Sequence, residues 1–387
     1  MAKLVSMVPL LKAAEHRSRE NPGKGSSIGA FNVNFYAQAE GILEGLRRAG
    51  APGIIQASRG ANKFQGGASK IQEMVLRAMS YLKMDNYPIC LHLDHGTPET
   101  CVECIQSGFS SVMVDMSEEP LERNIAVTAE IVKIARKKGV SVEGEYGGLG
   151  GIEEDVEQQA VYSNPLLVPY FFAETGADAL AVTYGTSHGP NKFGPEVNLD
   201  HVLKIEVVEK SYRGLVAYGM SEKCFLVGHG SSTIPKDLIA EINAHGGKLK
   251  DARGVPLEKI IAGRDAGIRK FNIDTDLRLG ITAEFRRYLY KDNPGIVKKC
   301  EPLRLAKDVF DGKIPAKDKD GKPVDPGKLT DPRSYLDPID REILRKDYRG
   351  TEMEELMTRV KNRVASHVEM LVTQVFNCAG LADSVKV

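Results

Sequence analysis

Short apolar, β-branched runs alternate along the chain with longer stretches whose apolar side chains recur at helical spacing. The runs fall at residues 27–31, 53–57, 88–93, 111–114, 140–144, 179–183, 224–227 and 269–273, which makes eight candidate strands. Between them, 37–49 carries Ile42, Leu43 and Leu46 on one helical face and stops before Gly50, a helix-ending signal. Ile71, Met74, Val75 and Met79 mark a helix over 69–82, and a third helix, 120–138, starts with Pro120 and stops at Gly139. Eight strand-then-helix units within residues 1–290 predict one catalytic α/β domain, a closed (β/α)8 TIM barrel. An open doubly wound sheet is the runner-up, but it would gather its polar groups mainly at a switch point. Here reactive residues end nearly every strand: Asn32, Ser58, Asp94 with His95, Asp115, Glu145, Tyr184 leading to His188, His229, and Asn272 with Asp274. A barrel brings all of these ends to one mouth.

The pattern changes after residue 290. Residues 311–338 are dense in Lys, Asp, Pro and Gly without periodicity, which predicts a long surface excursion. Residues 352–376 regain helical spacing through Met353, Leu356, Met357, Val360, Val364, Val368, Leu371 and Val375. That is an amphipathic helix with an apolar face to bury, on the barrel or on another subunit. Residues 291–387 are therefore read as a C-terminal helical extension.

Composition narrows the partners. Lys plus Arg equals 52 and so does Asp plus Glu, so no global basic field exists to hold nucleic acid or an anionic membrane. No apolar run approaches the roughly 20 residues of a membrane helix, and the N-terminus lacks a signal-peptide pattern. The six scattered cysteines do not form a disulfide framework, so a reducing cytoplasm is the expectation. Cys101 and Cys104 have CxxC spacing, but no second pair exists to complete a zinc knuckle. They are read as small side chains on a helix.

Candidate chemistry centres on three of the eight histidines. His95, His188 and His229 each follow a candidate strand and precede a glycine. Three imidazoles with one open position form a catalytic zinc pattern, and the glycines would let backbone amides approach a ligand. His92, three residues before His95, is expected on the opposite face and is not read as a ligand. Asp94 suits acid–base work beside the metal or, equally, orientation of an imidazole. Asp115 and Glu145 could bind a second cation, divalent or monovalent, or close the mouth as a salt bridge. The glycine-rich, acid-tipped stretch 145–154 could act as a closing loop, and it lacks a dinucleotide fingerprint. Gly228-His229-Gly230-Ser231-Ser232 offers a phosphate nest. Asn272-Ile273-Asp274-Thr275 with Arg278 adds donors and a cation, although Arg278 could equally be an exposed helix residue.

These residues resemble the class II, metal-dependent fructose-bisphosphate aldolases over about Ser27 to Arg287. The resemblance is carried by Leu91-His92-Leu93-Asp94-His95-Gly96, Val114-Asp115-Met116-Ser117, Glu143-Gly144-Glu145-Tyr146-Gly147, Tyr184-Gly185-Thr186-Ser187-His188-Gly189, Gly228-His229-Gly230-Ser231-Ser232 and Asn272-Ile273-Asp274-Thr275-Asp276. It implies a (β/α)8 barrel, usually a homodimer or homotetramer, that cleaves fructose 1,6-bisphosphate to dihydroxyacetone phosphate and glyceraldehyde 3-phosphate. By the same resemblance, His95, His188 and His229 would ligate zinc, and Asp115 and Glu145 would belong to a second metal position. Asp94 would exchange the proton of the C4 oxygen. Ser58 would contact the glyceraldehyde 3-phosphate part, while Gly189, Gly230, Ser231, Ser232 and 272–275 would hold the dihydroxyacetone phosphate part. Glu153 would move a proton at the ketone side from the mobile loop, with Glu154 next door. Bond cleavage leaves charge on an enediolate, which a Lewis-acid metal would stabilise. The tail departs from shorter family members, which leaves oligomer geometry open. Tagatose and sedoheptulose bisphosphates remain alternative substrates.

Three other classes compete. A barrel hydrolase would place a His-x-His pair on the first strand, which here ends in Phe31-Asn32. A Schiff-base aldolase needs a strand lysine, and Lys270 is the single candidate. A metal-stapled binding protein wants a fourth protein ligand.

Overall fold

The computed structural model describes residues 2–147, 151–153, 156–158, 162–186, 198–250, 254–317 and 321–387, with backbone alone at 151–153 and 156–158. In chain order the first strands are β1 (Ile28–Asn32), β2 (Gly53–Ser58), β3 (Ile89–Gly96), β4 (Ser111–Val114) and β5 (Ser141–Tyr146). A hairpin of β6 (Gly151–Glu153) and β7 (Val156–Gln158) follows, then β8 (Ala179–Val182), β9 (Phe225–Gly228) and β10 (Ile268–Ile273). A second small hairpin, β11 (Ala316–Lys317) with β12 (Pro323–Val324), lies outside the main sheet. Eight strands close in parallel in the order β1-β10-β9-β8-β5-β4-β3-β2. The chain is thus a (β/α)8 barrel, as the alternation predicts.

The predicted helices form with small shifts. Tyr36–Ala49 ends at Gly50, whose φ of 59° is the left-handed cap a glycine permits. Ala68–Tyr81 follows β2 after a short helix, Arg59–Gln65. Leu121–Arg136 leaves Pro120 just outside its start. One face of each helix packs on the barrel wall, in a single apolar core with the strands.

The N-terminal helix Met7–Glu20 closes the bottom of the barrel. Met7 donates its backbone N–H to Ser141 Oγ at 3.0 Å, and Glu15 meets Arg269 at 2.6 Å. Both partners begin strands, so this helix lies at the end away from the predicted mouth.

The C-terminal helix Glu354–Met370 packs along Tyr36–Ala49 of this same chain. Gly41 and Gly45 make the approach possible. A Cβ on Gly41 would lie 2.7 Å from Lys361 O, and one on Gly45 would lie 2.5 Å from Ala365 O. Four residues apart, they present one smooth groove on the helix face. Between the barrel and this helix, the stretch 311–338 is more than a surface excursion. It forms the β11–β12 hairpin and the helix Pro332–Leu336, and it buries Leu329, Tyr335 and Leu336. The Tyr335 ring packs against Phe285 and Phe310, so spaced aromatic and aliphatic anchors hold a segment that lacks periodicity.

Candidate active site

Strand geometry explains which side chains face the barrel interior. Side chains alternate along a strand, so the inward residue at a strand's end has another two positions below it. His92 and Asp94 on β3, Glu143 and Glu145 on β5, and Lys270 and Asn272 on β10 are three such pairs. The upper members, Asp94, Glu145 and Asn272, lie at the mouth. The lower members, His92, Glu143 and Lys270, are fully buried and form a polar floor under it. His92 therefore faces inward, not away from the site as its spacing to His95 suggested. It hydrogen-bonds Ser111 Oγ through Nδ1 at 2.8 Å and has Nε2 3.5 Å from Glu143.

His95 breaks the alternation. Its φ is +50°, uncommon for a residue with a side chain. The register between β3 and β4 shifts between Leu93 and Gly96. The kink puts neighbouring residues Asp94 and His95 around one space, with Asp94 Oδ1 3.9 Å from His95 Nε2. Gly96 serves this packing: a Cβ there would strike Leu93 Cδ2 and Met113 O. Its carbonyl takes the N–H of Asp115 at 2.9 Å, which sets that residue's backbone. The absence of a side chain at Gly96 thus lets β3 and β4 pack closely at the mouth.

Of the three candidate ligand imidazoles, the two within the described residues, His95 and His229, are each held from behind by a carboxylate. His95 Nδ1 is 2.7 Å from Asp115 Oδ2, and His229 Nε2 is 2.8 Å from Glu143 Oε1. The ring centroids are 4.9 Å apart. Glu145 Oε2 lies between them, 3.7 Å from His95 Nδ1 and 3.4 Å from His229 Nδ1. Donor atoms of Asp94, His95 and His229 all lie within 4.8 Å of one another, as do those of His95, Asp115 and Glu145. Carboxylate-backed imidazoles with further oxygen donors nearby make a donor set that fits a divalent ion. His95 and His229 would hold it, with His95 Nδ1 already taken by Asp115 and His229 Nε2 by Glu143.

The charges fit this arrangement. Burial disfavours the His229 cation, but hydrogen bonds and charge from Glu143 and Glu145 outweigh it and raise its pKa to about 10. Burial would raise Asp115, yet the hydrogen bond and charge of His95 hold it well below the usual carboxylate range. Asp94 is likewise lowered despite burial, by His95, His229 and Lys270 and by a hydrogen bond from Asn32. Asn32 Nδ2 donates to Asp94 Oδ2 at 3.0 Å, and Asn272 Nδ2 donates to Oδ1 at 3.1 Å. A buried carboxylate kept ionised mainly by neighbouring positive charge, and oriented by two amides, is placed to exchange a proton.

A chain of backbone and hydroxyl contacts builds the neighbouring loops. Gly230 has φ +62°, and Ser231 Oγ donates to the Gly228 and His229 carbonyls. Ser232 Oγ accepts from the N–H groups of Asp274 and Thr275, tying this loop to the start of helix Thr275–Arg287. Asp276 accepts from Thr233 N, Thr233 Oγ1 and Ile234 N, which secures the left-handed Ile234. The Ile273 side chain is buried in the core, so only its backbone can reach a ligand. Arg278 is not an open cation. Its guanidinium engages both Asp274 and Asp331.

That ion pair fastens the C-terminal segment at the mouth and brings in a residue absent from the sequence reading, Arg333. Asp331 caps helix Pro332–Leu336 and pairs with Arg333 at 2.6 Å. The Arg333 guanidinium lies over Gly60, beside Ser58, whose hydroxyl caps helix Arg59–Gln65. The signal was the Asp331-Pro332 helix start, hidden in a stretch read as surface. Glu143 and Lys270 were legible as the residues two before Glu145 and Asn272. Ser187, His188, Gly189 and Glu154 lie outside the described residues. Glu153 ends β6 in the hairpin, and only its backbone is described.

The sequence profile described as fructose-bisphosphate aldolase class-II matches residues 12–370. The chain belongs to this family. The class II aldolases act on sugar phosphates and use a divalent metal, which the donor set around His95 and His229 suits. Among curated class II and related aldolases, the fructose-bisphosphate aldolase of Giardia intestinalis is 42% identical over 261 residues, 67% of this chain and 77% of that protein. That of a Nostoc species is 39% identical over 327 residues, covering 78% of this chain and 85% of that one. The "fructose-bisphosphate aldolase class 2" of Synechocystis is 39% identical over 309 residues, 74% and 82%. In fold, the chain is similar to the crystal structure of fructose-bisphosphate aldolase from Campylobacter jejuni, with a TM-score of 0.63 at 20% identity over 98% and 97% of the two chains. Among the described residues, no helix is long and apolar enough to cross a membrane.

Proposed function

We propose that this class II aldolase reversibly cleaves fructose 1,6-bisphosphate between C3 and C4, with zinc as its ion. The observation that carries the reading is the pairing of two carboxylate-backed imidazoles, His95 and His229, with an ionised Asp94 clamped by two amides. His95, His188 and His229 would hold the ion, and Asp115 and Glu145 would serve a second cation position. Bound there, a divalent ion supplies Lewis-acid stabilisation of the charge that develops on the ketone half.

The remaining steps belong to the chain. In cleavage, Asp94 takes the proton of the C4 hydroxyl, the C3–C4 bond breaks, and C4 leaves as the aldehyde. The bonding pair stays with C3, where Glu153 delivers a proton from the β6–β7 hairpin. Condensation runs the same transfers backwards. Gly189, Gly230, Ser231, Ser232, Asn272, the Ile273 backbone, Asp274 and Thr275 would hold the dihydroxyacetone phosphate half. Ser58 would hold the glyceraldehyde 3-phosphate half. The two phosphates supply binding energy remote from the reacting bond, which orients it.

The enzyme is proposed to work as a homodimer or homotetramer in the cytoplasm. All six cysteines are free thiols, which suits a reducing compartment. Lys270 does not suit a Schiff base, because it lies fully buried below the mouth and is paired with Glu143.

Replacing Asp94 with Ala tests the reading. Zinc content should stay at the wild-type level while cleavage falls by about 10²–10⁴-fold. Near-normal turnover would remove Asp94 from the chemistry. Measuring kcat/KM for the fructose, tagatose and sedoheptulose esters on the same preparation decides the substrate.

A further inference from the structure

We propose that Lys270 is a positioning residue that sets two groups at once, the amide of Asn272 against Asp94 and, through Glu143, the ring of His229. What those groups then do rests on the aldolase reading; that they are oriented rests on geometry.

Lys270 is fully buried on the inward face of β10. Its ammonium has Glu143 Oε2 and Asn272 Oδ1 as partners, each at 2.8 Å. An ammonium only donates, so Asn272 must turn its oxygen down to Lys270. The other end of the amide, Nδ2, then points up at Asp94 Oδ1, 3.1 Å away. With the amide reversed, two acceptors would face each other there. The opposite side of Asp94 is built by the same logic. Gln56 Nε2 donates to Asn32 Oδ1 at 2.7 Å, which leaves Asn32 Nδ2 to donate to Asp94 Oδ2 at 3.0 Å. Both amides on Asp94 are thus fixed from behind, one by Gln56 and one by the lysine.

The second arm runs through Glu143. This buried carboxylate uses Oε2 for Lys270 and Oε1 for His229 Nε2 at 2.8 Å. Lys270 gives it a counter-charge inside the barrel, and Glu143 fixes the plane of the imidazole and commits Nε2. With Nε2 committed, Nδ1 is the nitrogen that would be offered to a metal, and the ring would offer it in a set orientation. Lys270 and Glu143 span the barrel interior, from β10 to β5, two strands that are not neighbours in the sheet. One fully buried ammonium therefore ties the proposed proton acceptor to a proposed metal ligand from below the mouth.

Two full-length variants test this, Lys270→Met and Lys270→Met/Glu143→Gln. The readouts are thermal unfolding of the metal-stripped protein, Co²⁺ affinity by visible absorbance, and kcat and KM for fructose 1,6-bisphosphate. The single variant strands a buried carboxylate, so it should unfold at lower temperature or fail to fold. The double variant has no stranded charge and should regain most of the wild-type unfolding temperature. Its Co²⁺ affinity should nevertheless stay at least about tenfold below wild type, because a neutral amide holds His229 less firmly. Its kcat should be at least about tenfold lower with little change in KM, because Asn272 has lost its anchor. A double variant with wild-type Co²⁺ affinity and kcat would overturn the proposal and leave the pair a purely structural one. Wild-type protein that did not cleave the sugar would overturn the aldolase reading instead. The Co²⁺ titration would still decide the Glu143–His229 arm.

Discussion

Arg269 and Lys270 are neighbours on β10, both buried, and each is paired with a glutamate, at 2.6 Å for Arg269–Glu15 and 2.8 Å for Lys270–Glu143. Alternation sends them to opposite sides of the barrel wall. Outside, Glu15 receives hydrogen bonds from Arg269, Tyr212 and Arg19, and every partner is structural. Arg269 spends its other donors on the Arg264 and Ile268 carbonyls. The result is a fastener that holds helix Met7–Glu20 against the barrel. Inside, Glu143 divides its oxygens between Lys270 and His229, and Lys270 divides its donors between Glu143 and Asn272. The same kind of ion pair becomes a means of orientation because its spare valences point at reactive groups. A buried pair is therefore read by where its remaining hydrogen bonds go, not by its charge alone.

Metal removal should separate the two pairs most strongly. Stripping divalent ions with a chelator should cut cleavage by orders of magnitude, with recovery on adding zinc. Amide exchange should quicken around 92–96 and 225–230 and stay unchanged along helix Met7–Glu20. Equal quickening at both ends would mean that the pairs are not distinct in role. Next in size, Arg269→Met leaves Glu15 buried without its main partner and should cost about 3–5 kcal/mol of stability. Per folded molecule, kcat and Co²⁺ affinity should match wild type; a tenfold loss of either would break the contrast with Lys270.

The smallest effect concerns the inner floor alone. Burial, followed by the charge of Lys270, pushes His92 down to about 3 from an ordinary 6.5. Between those values the unfolded chain binds a proton that the folded protein refuses. Stability therefore falls as pH falls through this window, by up to ~1.4 kcal/mol per pH unit from this group. His92→Gln should flatten that part of the wild-type slope in denaturant melts of the metal-free protein. A slope identical to wild type would show that His92 takes up its proton while folded.

Much of the fold and part of the site were legible in the pattern. Eight apolar runs followed by helical spacing led to the closed barrel, because a parallel strand buried on both faces reads as a short apolar run. The polar residue ending each run marked the mouth, since parallel strands in a barrel all end on one side. His92 was misplaced because period-two counting assumes regular backbone, and His95 has a positive φ that counting along the chain does not reveal. Arg278 was read as a cation for phosphate because its partner Asp331 is 53 residues away. Arg333 went unread because its segment has no period of its own and is held by scattered anchors such as Tyr335 and Leu336.

What the sequence determined by itself is the local chemistry: where strands and helices form, which strand ends carry imidazoles and carboxylates, and which family these motifs resemble. Side-chain type and spacing act over a few residues, so a linear reading captures them. Only the tertiary structure decided which carboxylate backs which imidazole, which end of the Asn272 amide meets Asp94, and which glutamate each buried cation takes. Those choices depend on donors and acceptors from strands far apart in sequence, and a hydrogen bond is made only where distance and direction are both satisfied.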